Sequence, residues 1–231
     1  MLILSLDTSS LTGSLAVLRD AKVIGVVSTW AEETRCARMF RQLEFLLHEL
    51  SLDMKQFDLF AAAAGPGSFT GLRVGLTAAK GWAEVYNKPA AGVSGLEAIA
   101  VQANSNAQLL VSVADARRGQ IYFGFYRRRG QGLALEGDEC VMTPEEFLEE
   151  LRVRAAECEF TIATPEPELV AKEMSQIEKR GGAVEPVSSV LAPFIGRLGY
   201  RRALAGKLSD ALSLNANYVR HTDAELHWKV P

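Results

Sequence analysis

The sequence predicts an α/β protein of two halves, each with the element order β-β-β-α-β-α-β, the second copy reduced. Three observations carry that expectation. The first thirty residues are β-rich runs broken by turn residues, helical periodicity sets in only after them, and from residue 108 the same succession begins again.

Met1–Leu6, Ser14–Arg19 and Val23–Thr29 are short strands separated by Thr8-Ser9-Ser10, Gly13 and Asp20-Ala21-Lys22. A helix is expected from about Thr34 to Leu50. Its apolar stripe is Cys36, Met39, Phe40, Leu43, Leu46, Leu47 and Leu50, about 120° wide at roughly 100° per residue. Phe45 falls on the opposite, polar side beside Arg38, Arg41 and Gln42, either as a stray surface residue or as a contact for something else. Leu59–Ala64 is a continuous apolar run, as a strand buried on both faces requires. A helix over about Thr70–Tyr86, a strand over Ala90–Val93 and a helix from Gly95 to about Asn104 follow.

In the second half, Gln108–Ala114, Gln120–Arg127 and Leu133–Met142 read as strands. Thr143 caps a helix with Pro144 at its first position and Glu146 closing the capping box, and the helix runs to about Ala155. Glu159–Ala163 is a strand, Pro167–Ile177 a helix, Val184–Val187 a strand and Val190–Ala205 a final helix. Leu212–Arg220 is expected to return to the body as an extended segment. Each succession is the order of a ribonuclease-H-like half, and two such halves define the actin, sugar-kinase and Hsp70 (ASKHA) superfamily. The expected division is 1–106 for a first subdomain bearing partner-binding helices and 107–231 for a smaller second one with the tail.

Gly65-Pro66-Gly67-Ser68-Phe69-Thr70-Gly71 links the buried run to a helix. A strand, a glycine turn and a helix N-terminus together suit a phosphate, because the first helical turn offers unpaired N–H groups and a positive dipole end. Neither standard cradle fits: Leu72 follows Gly71 where a Walker loop has Lys, and the spacing is G-x-G-x-x-x-G, not G-x-G-x-x-G. A tight turn packing a helix closely on a sheet is the competing reading. On the helix, Leu72, Gly75, Leu76, Ala79, Trp82, Ala83 and Tyr86 make a core face, and Val74, Ala78, Gly81 and Val85 an adjoining apolar flank. Only Arg73, Thr77, Lys80 and Glu84 are left as a polar strip. Small residues on that flank suit close helix contact, with another helix of the chain or with a partner.

The composition is that of a soluble globular protein: 231 residues, 48% hydrophobic, 23% charged, net charge −3. That balance argues against a dedicated nucleic-acid gripper, and Arg117-Arg118 and Arg127-Arg128-Arg129 read as solvated strand ends. Cys36, Cys140 and Cys158 are widely spaced with no C-x-x-C pair, so a zinc site is not expected and cytoplasmic thiols are. No signal peptide or membrane span is expected.

Four stretches resemble the bacterial TsaB (YeaZ) family, the glycoprotease-like subunit of the tRNA threonylcarbamoyladenosine machinery. They are Leu4–Ser9, Gly65–Gly81, Asp115–Tyr122 and Asn217–Arg220, in the family's order across nearly the whole chain. The chain departs from that pattern at Arg35-Cys36-Ala37, where the family usually has a His, and this weakens any metal ligand there. The resemblance implies a non-catalytic partner of TsaD, the similarly folded subunit that transfers threonylcarbamoyl to N6 of adenosine 37 in tRNAs reading ANN codons. It implies that the ATPase TsaE joins the pair, that tRNA is met only indirectly, and that the free chain can form a homodimer. Pairing through a bundle of first-half helices makes Arg38, Arg41, Gln42, Phe45, Arg73, Val74, Thr77, Ala78, Gly81 and Val85 the expected contact residues.

A superfamily member that hydrolyses ATP needs a metal-orienting carboxylate after its first strand, a second phosphate loop and an adenosine pocket. Asp7 stands at the first position, to orient a metal or to cap the turn through Thr8 and Ser9. Gly65, Gly67 and Ser68 form the first loop. Asp115 and Arg117 fall in the second, where two long arginines replace the small residues that close backbone approach to phosphate requires. With no Gly-Gly adenosine motif in a short second half, these read as degenerate loops and the chain as a pseudoenzyme without cofactor or metal. His48, His221 and His227 are scattered, and neither a Gly-x-Ser-x-Gly elbow nor a His-Glu-x-x-His helix is present. The competing reading is an ATP-dependent kinase or hydrolase of the same superfamily. A Rossmann-type dehydrogenase is opposed by the three leading strands and the glycine spacing.

Overall fold

The computed structural model describes residues 1–30, 35–130, 132–155, 158–208 and 214–220. The expected helix start at Thr34, the first residues of the returning tail (212 and 213), His221 and His227 lie outside them.

Two sheets share one topology. In the first, β1 (Leu2–Asp7), β2 (Thr12–Arg19) and β3 (Lys22–Trp30) form an antiparallel meander, and β4 (Leu59–Gly65) and β5 (Ala90–Ser94) extend it in parallel, giving the order β3-β2-β1-β4-β5. In the second, β6 (Leu109–Arg117), β7 (Gln120–Arg129) and β8 (Gly132–Leu135) form the meander, and β9 (Cys140–Met142) also pairs with β7. Strands β10 (Phe160–Thr164) and β11 (Gly182–Pro186) are parallel to β6, so the order β8-β7-β6-β10-β11 repeats the first. The duplicated ribonuclease-H-like architecture is therefore present. Central strands β1 and β4 are buried on both faces, which is why they lack polar alternation.

The outer face of sheet one carries α1 (Arg35–Leu50) and α2 (Phe69–Tyr86), which close a cluster containing Leu4, Leu6, Phe60, Met39, Leu43 and Leu76. Between the sheets lie α3 (Gly95–Ala100) and, from the end of the chain, α6 (Ala192–Leu204). The outer face of sheet two carries α4 (Pro144–Arg154) and α5 (Met174–Lys179). The inner helices cross over: α3 packs on β6 and β7 of the second sheet, and α6 on β1, β2 and β4 of the first. Ser5 Oγ donates to the carbonyl of Ala192 at 2.7 Å and Ser14 Oγ accepts from the Ala192 N–H at 3.2 Å, which fixes the start of α6 against sheet one.

The cap expected at Thr143 is present, and Ser68, expected in a phosphate loop, proves to cap α2. Ser68 accepts from the Gly71 N–H to open α2, and Thr143 and Glu146 complete their capping box on α4. Strand ends shift by up to three residues, and three elements differ more. The expected strand 133–142 is divided into β8 and β9 by a turn containing Gly137 at φ +77°. The expected helix 167–177 is a 3₁₀ turn at Pro167–Val170 followed by α5. Helix α3 stops at Ala100, and Asn104 instead bonds Glu185 through both its backbone N–H and its side-chain amide.

Helix α1 is the main correction. Arg38 and Gln42, expected on its polar side, are 3% and 6% exposed, whereas Phe40 of the expected apolar stripe is 50% exposed. Arg38 Nη1 donates to the Leu11 carbonyl at 3.0 Å, and the guanidinium lies so close over Gly13 that a Cβ there would sit 2.6 Å from Nη2. Gln42 Nε2 donates to Thr29 Oγ1 at 2.8 Å. These bonds, one to the turn before β2 and one to β3, seat Arg38 and Gln42 inward and leave Phe40 at the surface.

Candidate functional site

Two places gather the residues singled out by the sequence: a cleft between the halves, and the outer face of α1 and α2. The cleft has a volume of about 760 Å³ and is bordered by Ser9 and Ser10, the Pro66–Phe69 turn, the Asp115–Arg118 hairpin tip, Glu166 and the segment Asn217–Arg220. It brings the two loop pairs of the expected phosphate site to one opening.

Each loop is occupied by its own chain. Asp7 is completely buried, and its Oδ1 accepts from Ser9 N–H at 2.8 Å and Ser9 Oγ at 2.6 Å, an Asx turn that holds the β1–β2 connection. Its Oδ2 has no hydrogen-bond partner among the described residues. Burial pushes this carboxyl above the usual carboxylate range, against the opposing pull of the two Ser9 bonds and Arg38. The carboxylate therefore faces the protein, not the cleft. Thr8 Oγ1 donates to the Gly71 carbonyl at 2.6 Å and lies where a Cβ on Gly75 would come within 2.5 Å, so α2 sits directly on that hydroxyl. Ser68 N–H donates to the Ser9 carbonyl at 2.8 Å, and a Cβ on Gly67 would lie 2.7 Å from that of Ser9. Gly65, at φ +127°, accommodates the backbone of Asn217.

In the second loop, Asp115 accepts from the Arg117 N–H at 2.7 Å and pairs with its Nε at 3.2 Å. The Asp115 N–H donates to Glu166 at 3.1 Å, and burial raises the Glu166 carboxyl above its ordinary range, with the nearby Asp115 charge adding to it. Arg117 and Arg118 have φ of +64° and +58°. Non-glycine residues pay about 1 kcal/mol or more for this left-handed conformation. The arrangement holds both long side chains at an exposed tip.

On the outer face, Phe45 is 55% and Val85 75% exposed, and Arg41, Arg73, Thr77 and Gly81 are also exposed. No atom of the described residues lies within 4 Å of a Cβ built on Gly81. Val74 and Ala78 are half-buried against the outer core cluster, so part of the small-residue flank serves the chain's own packing. Arg38 and Gln42 do not belong to this face, for the reasons given above. Arg73 stacks its guanidinium 3.7 Å above Phe69 and donates through Nε to the Tyr218 hydroxyl at 3.1 Å.

Residues 15–187 match the family model described as TsaD, tRNA N6-adenosine threonylcarbamoyltransferase. The chain is 35% identical over 127 residues to the Bacillus subtilis tRNA threonylcarbamoyladenosine biosynthesis protein TsaB, covering 55% of this chain and 56% of that one. It is 29% identical over 199 residues to the Escherichia coli protein of the same name, covering 84% and 85%. The structure of YeaZ from Pseudomonas aeruginosa superposes with TM-score 0.77 at 23% identity, covering 94% of this chain and 99% of that one. The chain belongs to the TsaD family, in its TsaB (YeaZ) branch. In the first of those alignments the chain spans about half the length of its curated relative.

Residue-level reading of the sequence missed Glu139, Glu166 and the contacts of Asn217–Arg220. Glu139 accepts from Tyr126 Oη at 2.6 Å and Asn217 Nδ2 at 2.7 Å and also bonds Ser94. The only sequence sign of this node was the Asn217-Tyr218-Val219-Arg220 motif, which carries no chemistry until its neighbours are known. No group of side chains suited to a metal ion occurs among the described residues, and no described helix is long and apolar enough to cross a membrane.

Proposed function

We propose that the chain is a non-catalytic subunit of tRNA threonylcarbamoyladenosine biosynthesis that binds and activates TsaD. The observation carrying this reading is the outer face of α1 and α2, where aromatic and aliphatic side chains stand exposed beside an open glycine. Large apolar residues outside the core, on adjacent helices, suit a helical partner. The pathway in the names of the curated relatives, together with the TsaD description of the matching family model, suggests that partner. TsaE then joins the pair, and the same face forms a homodimer when TsaD is absent. The closed loops of the cleft support the non-catalytic part: Asp7 is turned inward, and the glycines of the first loop are packed against Ser9 and Asn217.

The deciding experiment is capture of purified TsaD by this chain, wild type against Phe45→Arg and Val85→Arg. Both variants should fold and lose capture. Full retention by both removes the proposed face. The rival reading, an ATP-dependent kinase or hydrolase, draws on the volume and position of the cleft. Calorimetry of the isolated chain with Mg·ATP separates them: the subunit reading expects no heat of binding, and micromolar binding lost in Asp7→Ala favours the enzyme.

A further inference from the structure

The segment Leu214–Arg220 has no regular secondary structure, yet it bonds to both halves of the molecule. At its start Leu214 is 4% exposed within the outer core cluster of sheet one, and its Cδ1 lies where a Cβ on Gly92 would come within 2.6 Å. Next, the Asn217 N–H donates to the Ala64 carbonyl at 2.6 Å. That carbonyl is available because the β4–β5 register shifts between Ala63 and Gly65, leaving Ala64 outside the ladder. The Asn217 carbonyl occupies the space a Cβ on Gly65 would need, so Gly65 is required by this strand-end contact. The Tyr218 ring packs on Phe69 with centroids 5.1 Å apart, and its hydroxyl takes the bond from Arg73.

The same seven residues then reach the second half. Asn217 Nδ2 donates to Glu139. Arg220 Nη1 donates to the Ala116 carbonyl at 2.9 Å, its Nη2 bonds Gln120, and the guanidinium lies over the Tyr122 ring. Both loops of the cleft are thus bonded to one short peptide.

We propose that the glycine turn is a binding site for this chain's own segment Leu214–Arg220, which acts as a clasp holding the two halves at one opening, and is not a phosphate cradle. The ligand is an extended backbone that supplies one N–H to the end of β4, one tyrosine to the start of α2 and one arginine to the β6–β7 hairpin. Apart from Arg73, the groups it satisfies are acceptors, the Ala64 and Ala116 carbonyls, Gln120 and Glu139, which a phosphate oxygen cannot bond. This assignment stands apart from the partner reading, since it concerns the free chain.

The test is hydrogen exchange on the full chain, comparing wild type with Arg220→Ala and Tyr218→Ala. A clasp transmits loosening from one end to the other. Arg220→Ala should therefore speed exchange at Gly65–Leu72 of the far loop, and Tyr218→Ala should speed it at Ala116–Gln120. Each effect is expected to be about fivefold or more, the size of one lost hydrogen bond. The amides of α4, to which no hydrogen bond from the segment is made among the described residues, should be unchanged. Acceleration confined to the loop nearest each substitution overturns the proposal, and so does acceleration that spreads equally into α4. Inorganic phosphate added to the wild type gives a second arm. Unchanged exchange at Gly65–Gly71 is the expected result, and saturable protection there while Asn217 stays protected overturns the assignment.

Discussion

The outer layers of the two halves differ although the sheets beneath them have the same strand order. Over sheet one lie two helices of 16 and 18 residues, and they leave Phe40, Phe45 and Val85 exposed. Over sheet two lie helices of 11 and 6 residues around a core of Phe123, Phe125, Phe147 and Phe160, all buried, with Phe147 stacked 5.0 Å from Phe123. The phenylalanines beneath α4 and α5 close the core there, whereas Phe40 and Phe45 of α1 face outward. One topology thus carries an outer layer whose phenylalanines are buried in one half and an outer layer with exposed phenylalanines, the face proposed for a partner, in the other, because packing of a sheet needs only one stripe of each helix.

The contrast can be broken by exchanging the roles of buried and exposed phenylalanines. Phe147→Ala should cost about 3–5 kcal/mol in urea unfolding, since it empties a fully buried aromatic site. Phe45→Ala should change stability by no more than about 0.5 kcal/mol. Equal losses would mean that the two layers are alike. On the contact side, Val85→Arg should weaken TsaD capture by about a hundredfold or more while leaving the urea midpoint unchanged, as expected for a charge forced into an apolar interface. A parallel loss of stability would place Val85 in the chain's own packing instead.

Within the contact layer, Arg38 sharpens the division between inward and outward faces. Arg38→Ala removes a buried bond to the Leu11 carbonyl, and its cost should be about 1–3 kcal/mol in stability. Arg41→Ala, at an exposed neighbour on the same helix, should be nearly neutral by the same measurement.

The smallest effect is in pH dependence. Asp7 has a folded-state pKa raised above its ordinary 3.8. Between those two values the folded chain binds more protons than the unfolded one, so this group's contribution to stability falls as pH rises through the window. Asp7→Asn should flatten that part of the stability–pH curve. Glu97 and Glu166 are raised by burial in the same direction and remain in the variant, so the slope should shrink without vanishing. An unchanged slope would show that Asp7 titrates alike in both states.

Much of the architecture was legible because the determinants are local. Thr143, Pro144 and Glu146 mark a helix start by spacing alone, and unbroken apolar runs such as Leu59–Ala64 mark strands covered on both faces. The division of 133–142 was less legible, since Gly137 reads as a turn only once the two flanking strands are seen to pair with the same neighbour, β7. The rotation of α1 was not legible at all. Its apolar residues admit more than one seating, and the choice was made by Leu11, Gly13 and Thr29, which lie on other elements. The excess apolar width of α2 was plain in the sequence, but its burial was not: Val74 and Ala78 turn partly inward, whereas Gly81 and Val85 do not.

The sequence by itself determined the repeated order of elements, the capped start of α4 and the unusual apolar width of α2, because each depends on residues a few positions apart. Tertiary structure alone decided that α3 and α6 would each pack on the other half's sheet, that Asp7 would face inward, and that residues 214–220 would meet both loops. The crossing of the inner helices and the seating of residues 214–220 depend on contacts between residues far apart in the chain, such as Arg220 and Ala116, and no periodicity along the chain encodes such a pairing.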